Sequence, residues 1–483
     1  MLRKIAYYFL LLFLLADIGY SFLQHYNKPF DGDMAGGIVP GEDVKPILGN
    51  PFGVKAITEH QEYPNPNRFF SHWFFYEYFN TVPILIQKVT SPINSAYLAC
   101  ALSKTFIQII LIISLAIAIT GNSNPLKFNF ILAAFLVTPL FQTNGYRGYM
   151  GIIDPATTYT FFYALPVILL ILYFTPLFLT HFYGKKTTVH KFIKFLWIPL
   201  ALISSLSGPL NPGISLVISL LLLSQCFIQN FKTCIKPDIF ARIKYGIHNI
   251  PSDYYFYLVP ISVFSLYSLY LGQFNSINSY HNTSLIELYS KLPQGIFYSF
   301  TQKLGFPVLF IALIINAIII KRINLWESSR ILRTYKWIAI FSLAYILLLP
   351  MGGYRDYRPY ILRYDTIIPI TLSLMFLFGK STLFIFNSIT PKQNKLYTAL
   401  IACILFVFIY SDKPEFGQNE CERNAIIQIA NSPNYIVELS DSCTIMSWGT
   451  IEKPAESELK TKLLKRWKII NDDKLFYQPI NNK

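Results

Sequence analysis

The sequence predicts an all-α polytopic membrane protein of about eleven transmembrane helices, with a long first outer loop and a small α/β C-terminal extracytoplasmic segment. Three observations lead there. Of 483 residues, 53% are hydrophobic and only 14% charged, where a soluble chain averages about 25% charged residues. Several apolar runs reach the ~20 residues that a helix needs to cross a bilayer. Most Lys and Arg sit in short connections between those runs, as at Lys185-Lys186 and Lys321-Arg322, which is the positive-inside pattern.

Taken in order, Arg3-Lys4 followed by Ile5 to Leu23 reads as an uncleaved first helix with a cytoplasmic N-terminus. The apolar part is long for a signal peptide, Asp17 interrupts it, and no small-x-small cleavage site follows. Residues 24–92 form the first outer loop, rich in Pro, Gly and Asn. It ends in the aromatic stretch Phe69 to Phe79, which suits helices in the interface plane. Further spans are expected near 96–119, 128–142, 158–181, 192–207, 214–230, 254–271, 304–320, 337–350, 364–387 and 396–411. An odd number of crossings puts the C-terminus outside. The later outer loops then carry only Arg147, Lys291, Lys303, Arg355, Arg358 and Arg363, and the inner connections hold many more cations. The transmembrane domain is therefore expected over 1–411. Residues 412–483 are expected to form the outer appendage, with short strands near Asn434–Leu439 and Lys474–Tyr477.

The net charge of +15 lies in these connections and not on a soluble domain, which excludes nucleic acid as a partner. Phosphate-loop, nucleophile-elbow, zincin and Cys-x-x-Cys signatures are absent from the sequence. His25, His60, His72 and His281 are scattered without ligand spacing, so no metal centre is read from them. Cys421 and Cys443 lie in the polar tail. They pair if that tail faces an oxidising compartment, and are otherwise two thiols in a small domain.

The polar residues that stand out collect on the predicted outer face. Pro29-Phe-Asp31-Gly-Asp33-Met-Ala-Gly-Gly37 opens the first loop with two carboxylates one residue apart. Three readings stay open: a general base, a site for a divalent cation, and an acidic turn leaving the membrane. Glu59, His60 and Asp154 are acceptor-side candidates. The loop Gly352 to Asp365 places Arg355, Arg358 and Arg363 between two spans, with Asp356 and Asp365. Arginine's planar fork suits phosphate oxygens, and the competing reading is a loop closed by its own ion pairs. Arg147 is a further cation on this face. Lys104, inside an apolar run, is a second-rank phosphate ligand or a side chain snorkelling to the headgroups.

This arrangement resembles the GT-C superfamily of integral-membrane glycosyltransferases. The likeness rests on the inside N-terminus, one helix before a long outer loop, the acidic Asp31-Gly32-Asp33 at that loop's start, and many spans ahead of an outer C-terminal segment. It implies an inverting transfer of a sugar from a polyprenyl-phosphate donor to a glycan, lipid or protein acceptor of the cell envelope. Asp31 or Asp33 would be the base, and the likeness does not choose between them. It implies a multi-pass protein, expected in a bacterial inner membrane. The chain lacks the Trp-Trp-Asp acceptor motif of oligosaccharyltransferases. The alternatives weighed are a polysaccharide polymerase or ligase, and a transporter or flippase. Paired halves with midplane charges, expected of a transporter, are not evident.

Overall fold

A computed structural model describes residues 2–141, 150–185, 194–235, 238–277, 284–301, 304–352, 360–440 and 442–479. The first half runs α1 (Leu2–Tyr26), the short loop helices α2 (Met34–Ile38), α3 (Lys45–Leu48) and α4 (Val54–Thr58), then α5 (Phe69–Ile86), α6 (Pro92–Thr120) and α7 (Phe128–Val137). Next come α8 (Thr157–Tyr183), α9 (Trp197–Ser205), α10 (Asn211–Thr233), α11 (Ile239–His248) and α12 (Ser252–Leu271). The bundle closes with α13 (Leu285–Ser290), α14 (Leu292–Thr301), α15 (Gly305–Ile323), α16 (Trp326–Leu348), α17 (Ile368–Ser388) and α18 (Pro391–Ser411). The C-terminal segment holds α19 (Glu420–Asn431), β1 (Ile436–Glu438), α20 (Glu458–Arg466) and β2 (Leu475–Tyr477).

Among the described residues, nine helices are long and apolar enough to cross a membrane. Of the eleven expected spans, the two near 128–142 and 192–207 are shorter here, as Phe128–Leu140 and Trp197–Ser205. Pro139 turns the end of the first into a 3-10 turn, because proline cannot donate its backbone N–H. Helix ends elsewhere carry ordinary stop signals. α6 begins with Ser91 accepting from Asn94 N and ends at Gly121, whose φ of 65° lies in the left-handed region. α17 is the most enclosed helix, packed on α6, α7, α15 and α16.

The C-terminal ends of α1 and α18 lie side by side. Tyr20 Oη donates to Asp412 O at 2.8 Å, and Asn419 Nδ2 to Tyr26 O at 2.9 Å. Lys28 Nζ pairs with Glu415 at 3.0 Å. The first loop and the C-terminal segment therefore leave the bundle on one face. β1 and β2 pair in parallel, Val437 opposite Phe476. The C-terminal segment does not hang as an appendage. Trp467, Ile426 and Phe476 share one apolar core with Phe30, Met34, Phe75, Phe79 and Tyr97 of the first loop and α6. About seventy residues enclose only a small core alone, and the loop supplies much of this one.

Cys421 and Cys443 form a disulfide, with Cα atoms 6.2 Å apart and 22 residues of separation. Closing a loop of that length constrains the unfolded chain by roughly 3 kcal/mol. Replacing both by Ser is expected to raise the protease sensitivity of residues 421–443 in the purified protein, and mild reduction of the parent is expected to reproduce that change.

Candidate active site

The first loop turns sharply at Asp31. Asp31 Oδ1 accepts from Asp33 N at 3.2 Å, and Asp31 O from Met34 N at 3.3 Å, which starts α2. The two aspartates then diverge. Asp31 is buried and Asp33 is exposed. Asp31 meets the start of α8, where Thr158 N donates to Oδ2 at 3.0 Å and Thr158 Oγ1 to Oδ1 at 2.6 Å. Asp33 accepts from Trp448 Nε1 of the C-terminal segment at 3.1 Å. Gly32 between them is demanded by close approach: a Cβ there would lie 2.5 Å from Trp448 Cδ1 and 2.7 Å from its backbone N. Trp448 stays largely exposed, and its ring centroid lies 5.8 Å from that of Tyr159.

Burial pushes the Asp31 carboxyl above the usual carboxylate range. The two Thr158 hydrogen bonds pull the other way, and the charge of Asp33 adds to the rise. Lys104 is fully buried and donates from Nζ to Pro155 O at 2.5 Å. It is in electrostatic reach of both Asp31 and Asp154. The snorkelling reading of Lys104 is thereby corrected: the side chain turns into the protein toward the Pro155 carbonyl and not out to the headgroups. Asp154 shapes the same turn, its Oδ1 accepting from Ala156 N at 2.7 Å.

A second buried carboxyl backs the site. Glu422 of α19 accepts from Phe30 N at 2.8 Å, Tyr97 Oη at 2.7 Å and Met446 N at 2.8 Å. Burial pushes it up to about 7, against the backbone hydrogen bonds of Met446 and Phe30. It positions the residues beside both Asp31 and Trp448.

The remaining sequence candidates separate. Arg363 makes a bidentate pair with Asp365, Nε to Oδ1 at 3.0 Å and one terminal nitrogen to Oδ2 at 2.9 Å. For this arginine the loop's own ion pair is the arrangement adopted. Its neighbour Tyr364 packs on Gly151, whose φ is +55° and where a Cβ would fall 2.3 Å from Tyr364 Cβ, so the Arg363 loop abuts the turn that carries Asp154. Arg147, Arg355, Arg358, Asp356 and His281 lie outside the described residues. Glu59 and His60 are exposed beyond α4, where His60 neighbours Phe274 after α12 with ring centroids 6.3 Å apart. That region packs around Ile47, Tyr63 and Leu271, a core separate from the one at Asp31. His25 is buried in α1 beside Gln108 at 3.4 Å. Burial and the Arg68 charge hold buried His72 near 3, hence neutral. Among the described residues, no group of three His, Cys, Asp or Glu side chains is placed to hold a metal ion.

Thr158, Tyr159, Glu422 and Trp448 were not singled out from the sequence. An exposed tryptophan between Ser447 and Gly449 in a polar tail was the one available signal. Comparison with protein-family models, with curated proteins and with solved structures finds no match to this chain.

Proposed function

We propose that the chain is an inverting membrane glycosyltransferase that moves a sugar from a polyprenyl-phosphate donor to a cell-envelope acceptor, with Asp31 as the general base. The observation that carries the reading is the buried Asp31 carboxylate, fixed by two Thr158 hydrogen bonds at the mouth of an apolar bundle. A carboxyl raised toward the working pH is the better proton acceptor. In the proposed step, Asp31 takes the acceptor hydroxyl proton as that oxygen bonds to the sugar's anomeric carbon. The bond from that carbon to the donor phosphate breaks, and the polyprenyl phosphate leaves with the electron pair. Lys104 is the cation coupled to Asp31 and the candidate for the developing phosphate charge. Arg363, with Arg147, Arg355 and Arg358, remains a candidate for the outer part of that group.

Two further facts support an extracytoplasmic site. The Cys421–Cys443 disulfide belongs to an oxidising compartment. The cation-rich connections fall at the ends of the bundle away from Asp31, as at Lys321-Arg322, which ends α15.

The test replaces Asp31 and Asp33 separately by Asn in a strain that depends on the chain, and compares surface glycans. Loss with Asp31→Asn and retention with Asp33→Asn fits the assignment; unchanged glycans in both, with normal insertion, refutes it. Trp448 and Tyr159 form an aromatic wall beside Asp33 that suits the apolar face of a sugar ring. Trp448→Ala is expected to raise the acceptor KM about tenfold with a smaller change in kcat, read from initial rates in detergent.

A further inference from the structure

A cavity of about 990 Å3 lies in the half of the bundle away from Asp31, between α6, α8, α10, α12, α16 and α17. That volume is at the upper end for a bound small molecule. Its lining changes character along its length. Val167, Leu170, Ile214 and Leu372 make one end apolar, while His181, Gln225, Asn230, Arg330 and Arg333 gather at the other. Position along α8 gives the depth. Thr158, bonded to Asp31, opens this helix, and Phe182 at the arginine end lies about 36 Å further on at the α-helical rise. Val167 lies only about 13 Å beyond Thr158 by the same measure. The apolar end therefore sits within the hydrocarbon, and the arginine end reaches the boundary opposite Asp31.

Arg330 is held by rings, and Arg333 is exposed one turn further along α16. The Arg330 guanidinium sits 4.8 Å from the centroid of Phe182 and 6.0 Å from that of Trp326. Nearby carboxylates are paired elsewhere, Asp253 with Lys194 at 3.2 Å and Glu327 with Lys380 at 3.5 Å. Among the described residues, no carboxylate is paired with Arg330 or Arg333. A cationic rim over an apolar pocket is the complement of an amphiphile with an anionic head. Arginine forks match phosphate oxygens.

We propose that this cavity binds one anionic glycerophospholipid of the bilayer, its phosphate on Arg330 and Arg333 and an acyl chain reaching toward Val167 and Leu372. The site is separate from Asp31 and does not rest on the glycosyltransferase reading. An ordinary lipid-filled crevice would accept phosphatidylcholine and phosphatidylglycerol alike.

The experiment reconstitutes the full chain in nanodiscs containing equal phosphatidylglycerol and phosphatidylcholine, and counts retained lipids by native mass spectrometry. One phosphatidylglycerol is expected to stay bound, preferred about tenfold or more over phosphatidylcholine. The double variant R330Q/R333Q is expected to bring that ratio to near one, and R330K/R333K to keep part of it. Ile218→Trp, which narrows the cavity with both arginines in place, is expected to weaken retention of the bound lipid while the protein still elutes as the parent does. Equal retention of the two lipids by the parent overturns the proposal, as does an undiminished preference in R330Q/R333Q. Displacement of phosphatidylglycerol by an equal amount of a polyprenyl phosphate overturns it in favour of that lipid.

Discussion

Asp31→Asn is expected to lower glycosyl transfer by about 10²- to 10⁴-fold, the range that a positioned general base contributes. The substitution keeps the shape of the side chain, and its one carbonyl oxygen can accept from Thr158 N with the amide nitrogen toward Asp33 N, so one of the two backbone donors keeps its acceptor. What it removes is the proton acceptor. The protein is expected to insert, at the cost of one hydrogen bond in the turn. A buried carboxyl whose value is raised contributes stability below its unfolded value and loses it as pH rises through the folded one. Asn has no such loss, so the difference in thermal stability between variant and parent is expected to narrow as pH rises and the parent carboxyl ionises. Activity of the parent should rise with pH as Asp31 ionises, and that rise should be missing from whatever residual rate the variant shows. A variant that transfers sugar at the parental rate leaves Asp31 as a structural turn. A variant that fails to insert would point to folding, and Thr158→Ala then separates the cases. It should leave the base in place but misoriented, and lower kcat about tenfold while the protein still inserts.

What could be read from sequence divides along a physical line. Membrane residence was legible because it depends on local quantities, namely the length of apolar runs and the placement of cations at their ends. At 128–142 and 192–207 the described helices are shorter than the expected spans, and at the first of them hydropathy windows do not register that Pro139 tightens the helix end. Asp31-Gly-Asp33 stood out as an acidic pair, yet the sequence treats its two members alike. They differ only through partners brought from afar: Thr158 for Asp31 across 127 residues, and Trp448 for Asp33 across 415. Glu422 reaches Phe30 across 392 residues. No periodicity or spacing encodes those meetings. They follow from α1 and α18 ending side by side, which lets the C-terminal segment complete the core of the first loop.

Glu422 should make that completed core sensitive to pH. Its carboxyl accepts three hydrogen bonds, from Phe30, Tyr97 and Met446, in a place where burial raises it to about 7 from an ordinary value of 4.5. The folded value exceeds the unfolded one. Its contribution is therefore complete below about 4.5 and is lost as pH rises through about 7. The shift corresponds to on the order of 3 kcal/mol at full ionisation, enough to loosen a small segment without unfolding the bundle. Hydrogen exchange over residues 445–451 is expected to be slow at pH 5.5 and to quicken by pH 8.5 beyond the intrinsic rise in exchange rate. Glu422→Gln keeps an acceptor for one of the two backbone donors, Phe30 N or Met446 N, and removes the titration, so that extra quickening should vanish even if its exchange is faster at every pH. Glu422→Ala leaves the Phe30 and Met446 amides unpaired at roughly 1 to 3 kcal/mol each, and should expose the segment at every pH. If Glu422→Gln keeps the parental pH dependence, the sensitivity belongs to another group. Because Phe30 adjoins Asp31 and Met446 lies two residues from Trp448, loosening here degrades the site. Transfer should therefore fall as pH rises through about 7, and that fall should be missing from Glu422→Gln.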